Sequence, residues 1–195
     1  QRYVQLAPEE PNAHDSLGLG YQCAGRYAEA AQEYERALAL KPDFEVSVIH
    51  LANTLYQTGR YAASLQKFQR YLEIAPAAAE RGRGYSGIAV IQRSRGRIND
   101  AERAARQAFA YYNVSRGQLF VTYLAKGDLI AAEKLKQTLD RSGSRDRGAR
   151  GNLRELAYFQ GSFELKSGRG PEAIEKFKQA LQHPTPIWNV DVYED

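Results

Sequence analysis

The sequence predicts an all-α fold, a series of antiparallel helix pairs repeated along the chain. Three observations predict it. The tripeptide Gly-Arg-Tyr begins at Gly25 and again at Gly59, 34 residues apart, and segments 24–42 and 58–76 align around it without a gap. The prolines that close those segments, Pro42 and Pro76, keep the same spacing, and Pro8 lies 34 residues before Pro42. The stretches ahead of the prolines also match, RYVQLAP over 2–8 against RYLEIAP over 70–76. A fixed period of this length marks a unit that cannot bury its apolar face alone and stacks on its neighbours to do so.

Each unit reads as two amphipathic stretches around a glycine, taken here as position 15 of the repeat. Five copies follow, on Gly25, Gly59, Gly96, Gly127 and Gly168. Glycine ends the first helix because it alone enters left-handed backbone geometry without a steric penalty. Position 20, just inside the second helix, is small in every copy: Ala30, Ser64, Ala101, Ala132 and Ala173. Position 8, on the first helix, is Gly18, Ala52, Ala89 and Gly161 in four copies. Small residues at both places allow the two helices to approach to roughly 8–10 Å. Larger side chains such as Tyr21, Tyr34, Leu55 and Phe68 fill the periphery, and the prolines stop each second helix.

The predicted pairs are 12–24/27–40, 45–58/61–74, 80–95/98–112, 114–126/128–141 and 153–167/171–182. The third glycine follows the second by 37 residues and the fourth follows the third by 31, so the period is uneven in the middle. The fourth copy carries Phe120 and Lys136 where a small and an aromatic residue are expected. Residues 142–151, SGSRDRGARG, hold no apolar group larger than alanine and read as a mobile loop open to trypsin.

This glycine, small-residue and proline register resembles the tetratricopeptide repeat. The resemblance implies a single right-handed superhelix over 1–195, with repeats at about 11–44, 45–78, 82–112, 113–141 and 154–184. Residues 1–8 and 185–195 read as partial repeats of a longer chain, whose exposed apolar ends would invite end-to-end self-association. In wording, the first two copies are similar to repeat arrays of large bacterial regulators, including some Ser/Thr kinases.

Composition narrows the function classes. Hydrophobic content of 43% and charged content of 26% are ordinary for a folded soluble protein. No apolar run approaches the 18 or so residues that a membrane helix needs, so no membrane partner is expected and the reading favours the cytoplasm. One cysteine excludes an internal disulfide and a cysteine zinc site. Net charge is +4 but uneven: residues 77–150 carry 15 basic and 7 acidic side chains, while both flanks are acidic. The basic field is therefore directional.

Nothing in the pattern carries catalysis, and no metal or cofactor is expected. His14, His50 and His183 stand at unrelated repeat positions and read as packing or surface residues. The LGLGY stretch at 17–21 lies inside a helix and lacks the Lys-Ser/Thr of a phosphate loop. Binding is better supported. The resemblance implies that positions 2, 5, 9, 12 and 13 of each first helix line a concave face. Carried over, these include Leu19 and Gln22 in the first copy, Asn53, Tyr56 and Gln57 in the second, and Arg83, Ser86 and Arg93 in the third. Asn53 stands where an asparagine often holds a bound peptide's backbone in this family. The family's carboxylate-clamp pattern is not met, since Asp15 and Leu19 occupy the places of its lysine and asparagine. The expected partner is a protein or peptide, with acidic side chains suited to the arginines. One alternative is nucleic acid on the central Arg-rich region, disfavoured because only Tyr85 interleaves the arginines. A further alternative is a regulatory array serving an enzyme whose catalytic domain lies elsewhere.

Overall fold

A computed structural model describes residues 2–111, 116–143 and 150–182. It forms two compact units, Gln1–Ser115 and Arg116–Asp195. The first unit contains α1 (Arg2–Leu6), α2 (Pro11–Cys23), α3 (Tyr27–Leu40), α4 (Glu45–Gln57), α5 (Tyr61–Ile74), α6 (Ala78–Ser94) and α7 (Ile98–Tyr111). The second contains α8 (Arg116–Lys126), α9 (Leu129–Gly143), α10 (Arg150–Lys166) and α11 (Gly170–Gln182). Among the described residues there is no strand. The fold is all-α, and its five hairpins are those the glycine register predicts.

The five turns share one geometry. Gly25, Gly59, Gly96, Gly127 and Gly168 have φ between 71° and 80°, where an L side chain is strained. In the first turn the Gly25 amide donates to the Gln22 carbonyl at 3.0 Å and the Arg26 amide to the Tyr21 carbonyl at 2.8 Å. The same pair of bonds recurs at the other four turns. Each first helix thus ends in a Schellman motif, which satisfies carbonyls that the helix itself leaves without partners.

Inside the hairpins the small positions are sealed. Ala30, Ser64, Ala101, Ala132 and Ala173 are all 0–1% exposed. A Cβ on Gly18 would lie 2.7 Å from the Tyr34 ring, and one on Gly161 would lie 2.7 Å from the Phe177 ring. The first and last hairpins therefore solve one packing problem in the same way. Between hairpins the core is shared: Tyr34, Ala30 and Ala31 of α3 pack with Leu51 and Leu55 of α4. Phe68 of α5 likewise packs with Ala52 of α4 and Ile91 of α6.

The extra residues before the third turn do not loop out. They lengthen the first helix, so α6 has 17 residues where α2 and α4 have 13, about one added turn. Glycines within α6 bring it close to α5. A Cβ on Gly87 would fall 2.2 Å from the Phe68 ring, and one on Gly84 would fall 2.6 Å from Leu72 Cδ2.

Two expectations change at the loop between the last hairpins. α9 continues through Gly143 and α10 begins at Arg150, so both ends of the expected 142–151 loop are helical. The cause is neighbouring helix that extends into a segment without prolines. Residues 144–149, the core of that expectation, lie outside the described residues, as do His183 and the partial repeat at 185–195.

Candidate functional site

The candidate groove belongs to the first unit, on its first helices α2, α4 and α6. Gln22 sits in the last turn of α2, where the Tyr34 hydroxyl donates to its Oε1 at 2.8 Å. Its own Nε2 donates to Gln57 Oε1 on α4 at 3.1 Å. One repeat further on, Tyr56 Oη of α4 lies 3.1 Å from Ser94 Oγ of α6. Gln22, Gln57, Tyr56 and Ser94 all occupy positions 12 or 13 of their repeats. Successive first helices therefore touch through the positions named for the groove.

The eight candidate residues divide by accessibility. Gln57 is exposed, and Leu19, Asn53, Tyr56, Arg83 and Arg93 are partly exposed. Gln22 and Ser86 are buried, at 8% and 3%. Gln22 works as a strut rather than a reachable donor, because both ends of its amide are engaged within the fold. Tyr56 is further held by the Tyr61 ring, with centroids 5.7 Å apart. Arg83 hydrogen-bonds the Tyr71 side chain. Burial pushes the Tyr71 phenol up to about 12, an effect the Arg83 charge opposes while Glu80 and Glu45 reinforce it.

Asp15, His14 and His50 make buried polar contacts that the repeat pattern did not announce. Asp15 Oδ1 accepts from Ser47 Oγ at 2.7 Å and faces His50 Nδ1 at 3.1 Å. Asp15 is 4% exposed, so it ties α2 to α4 from within the interface. His14 is 7% exposed. Its Nδ1 lies 2.8 Å from Glu33 Oε2 and its Nε2 lies 2.9 Å from the Pro8 carbonyl. Glu33 Oε1 is paired with Arg36 as well. The only available sequence signal was polar residues at packing positions, His14 at position 4 and Glu33 within the apolar stripe of α3.

The arrangement offers hydrogen-bonding and apolar surface. Cys23 is exposed on the α2 rim. Among the described residues no group of three or more His, Cys, Asp or Glu side chains could hold a metal ion. No helix among them is long and apolar enough to cross a membrane.

Comparison with known proteins places this geometry. The family model described as tetratricopeptide repeat matches residues 24–84, the first two turns and their surroundings. No curated protein matches the sequence. Among solved structures, the chain is similar to one in the crystal structure of the APC/C hetero-tetramer Cut9-Hcn1, with a TM-score of 0.77 and 16% identity. The match covers 92% of this chain and 34% of that one, so this chain spans about a third of its length. A tetratricopeptide repeat protein from Parabacteroides merdae matches with a TM-score of 0.75 and 15% identity, over 94% of this chain and 69% of that one. YrrB, described as a TPR protein with an unusual peptide-binding site, matches with a TM-score of 0.57 and 13% identity, over 93% and 90% of the two chains. Identities this low speak to the fold alone. Residues 24–84 match the tetratricopeptide-repeat family model, and the five turns in one register with their sealed small positions carry the same repeat fold through the described residues.

Proposed function

We propose that this protein is an interaction scaffold that holds an extended peptide segment with acidic side chains against α4 and α6. The observation that carries the reading is the pair of side-chain bridges, Gln22 to Gln57 and Tyr56 to Ser94, which join three first helices along one line. Bridged helices give a peptide a surface that loses little entropy on binding. Asn53 offers both a donor and an acceptor to a backbone amide, Tyr56 supplies a rigid amphipathic ring, and Arg83 and Arg93 add positive charge on α6. Gln57 and Leu19 extend the surface towards α2, while Gln22 and Ser86 support it from beneath. YrrB, a fold neighbour of similar length, is described as having a peptide-binding site, and that gives the class of ligand support but not its identity.

The test is affinity measurement with a partner recovered from the native source. Asn53→Ala and Tyr56→Ala should each weaken binding by about 1–2 kcal/mol. Arg93→Glu should remove most of the salt dependence, since accessible charges act mainly on association rate. Circular dichroism should be unchanged in all three. A partner whose affinity ignores every one of these changes binds elsewhere, and the assignment fails.

A further inference from the structure

Between α2 and α4 the groove has a seam that is tied at both ends. Asp15 of α2 meets Ser47 and His50 of α4 at one end, and Gln22 meets Gln57 at the other. Asp15 and Gln22 are seven residues apart, as are His50 and Gln57, so the ties lie two helical turns apart on matching faces. Leu19 falls between the ties on α2, and Asn53 falls between them on α4. His50, Asn53 and Gln57 therefore share one stripe of α4, at i, i+3 and i+7. The buried Tyr34 ring supports both ends, lying 5.3 Å from the His50 ring and donating to Gln22 through its hydroxyl. His50 stands at position 6 of its repeat, outside the five positions that the resemblance assigns to the groove.

The open end of the His50 ring has a defined polarity. Asp15 Oδ1 accepts from Ser47 Oγ at 2.7 Å and lies 3.1 Å from His50 Nδ1, so the carboxylate holds the ring proton on Nδ1. In the neutral ring Nε2 then carries a lone pair. The His50 side chain is 16% exposed, and its Nε2 is neither hydrogen-bonded within the described residues nor enclosed, so water reaches it. His14 is the contrast, with both ring nitrogens engaged inside the fold. An acceptor fixed in direction, one turn along α4 from Asn53, calls for a donor. One turn is roughly 5 Å, a reach that suits a hydroxyl on a one-carbon arm better than an ammonium at the end of four carbons. The Asp15 carboxylate behind the ring opposes an acidic group there.

We propose that His50 is a specificity-determining contact of the groove, oriented by Asp15 to accept from a serine or threonine hydroxyl of the bound peptide. This rests on the groove reading given above. The peptide backbone crosses α4 at Asn53, the hydroxyl projects along α4 to His50 Nε2, and a carboxylate further along the peptide reaches the arginines of α6. The first helices α4 and α6 touch through Tyr56 and Ser94, which sets their axes roughly 8–10 Å apart. An extended chain advances roughly 3.3 Å per residue, so hydroxyl and carboxylate stand about three residues apart.

The probes are labelled Gly-Gly-Ser-Gly-Gly-Glu-Glu-Gly, its reversed sequence, and the Ala and Lys counterparts of each at the Ser position. They are titrated with the full chain by fluorescence anisotropy. In the better of the two orders the Ser peptide should bind about fivefold more tightly than the Ala peptide, the worth of one hydrogen bond. His50→Phe should remove that preference and keep the affinity of the Ala peptide, whereas Asn53→Ala and Arg93→Glu should weaken both. In the wild-type chain at pH 8, nitrogen-15 NMR should show His50 protonated on Nδ1 alone. Its Nε2 resonance should move on addition of the Ser peptide while those of His14 stay still, a readout that needs no variant to fold. Equal affinity for the Ser and Ala peptides overturns the inference, as does a Lys peptide bound as tightly as the Ser peptide. So does a preference that survives His50→Phe, a proton on Nε2, or an unmoved Nε2 resonance. The groove reading outlives those results if Asn53→Ala still weakens binding. Affinity that ignores Asn53→Ala and Arg93→Glu, or no binding of any peptide, overturns both.

Discussion

His14 shows how one side chain can fix a segment. Its two ring nitrogens face a carboxylate and a backbone carbonyl, Glu33 and Pro8, so the ring joins α3 to the chain entering α2. Removing the ring leaves a buried carboxylate with Arg36 alone. His14→Ala should therefore destabilise the first unit by about 2 kcal/mol, read from a denaturant midpoint at unchanged slope. Amide protection in α1 should fall with it. Tyr71 adds a pH signature. Its raised pKa means that the folded state holds the phenolic proton where the unfolded chain gives it up. The stability contribution is intact below pH 10, the ordinary tyrosine value, and is lost as pH climbs towards about 12. Tyr71→Phe should flatten the decline in stability across that window, measured by denaturation at a series of alkaline pH values. An equally steep decline in the variant would assign the alkaline loss to other groups.

The fourth hairpin shows an element reaching the common geometry by inverted means. In the first and last hairpins a small residue on the first helix faces an aromatic ring on the second, Gly18 with Tyr34 and Gly161 with Phe177. Here the large ring, Phe120, stands on α8 and is fully buried, tilted against Phe159 of α10 at 5.3 Å. Lys136 on α9 takes the aromatic position. Its ammonium pairs with Glu133 at 2.8 Å and lies 4.4 Å from the Phe163 ring centre. Gly127 keeps its positive φ, so the register read from the sequence holds and the two sizes have been exchanged. Phe120→Ala alone should cost about 3–5 kcal/mol. Adding Lys136→Phe should return at least 1 kcal/mol of that, a coupling that a double-mutant cycle measures. Additive costs would show that the two positions do not share one volume.

At the scale of the molecule, stability is a sum of local terms, because within each unit a hairpin packs on its sequence neighbours. The shared clusters of α3, α4, α5 and α6 show those terms directly. Replacing a turn glycine should therefore act over a short range. Gly59→Ala forces a side chain into a left-handed φ of 74° and should cost about 1 kcal/mol. Hydrogen exchange should quicken in α4 and α5, and to a lesser degree in α3 and α6. Exchange in α10 and α11 should be unchanged. Loss of protection there as well would mean that the two compact units unfold together.

The turns, the small-residue register and the order of helices were legible in the sequence because each depends on a local rule. A positive φ selects glycine, a close helix crossing selects alanine or serine, and a helix stop selects proline. These constraints recur with the period of the repeat, so they survive in the text of the chain. The candidate groove was legible only as a list of positions. That Gln22 is a buried strut, that Asp15 gathers Ser47 and His50, and that His14 is held between Glu33 and Pro8 are decided between residues 6 to 35 apart in sequence, across contacts that no period records. The middle of the chain divides the same way. The sequence shows an irregular spacing, but only packing decides whether added residues loop out or extend a helix. On α6, Gly84 and Gly87 face Leu72 and Phe68 and let the helix lie close against α5, while the added turn at its start, residues 78–81, stays exposed or half-buried.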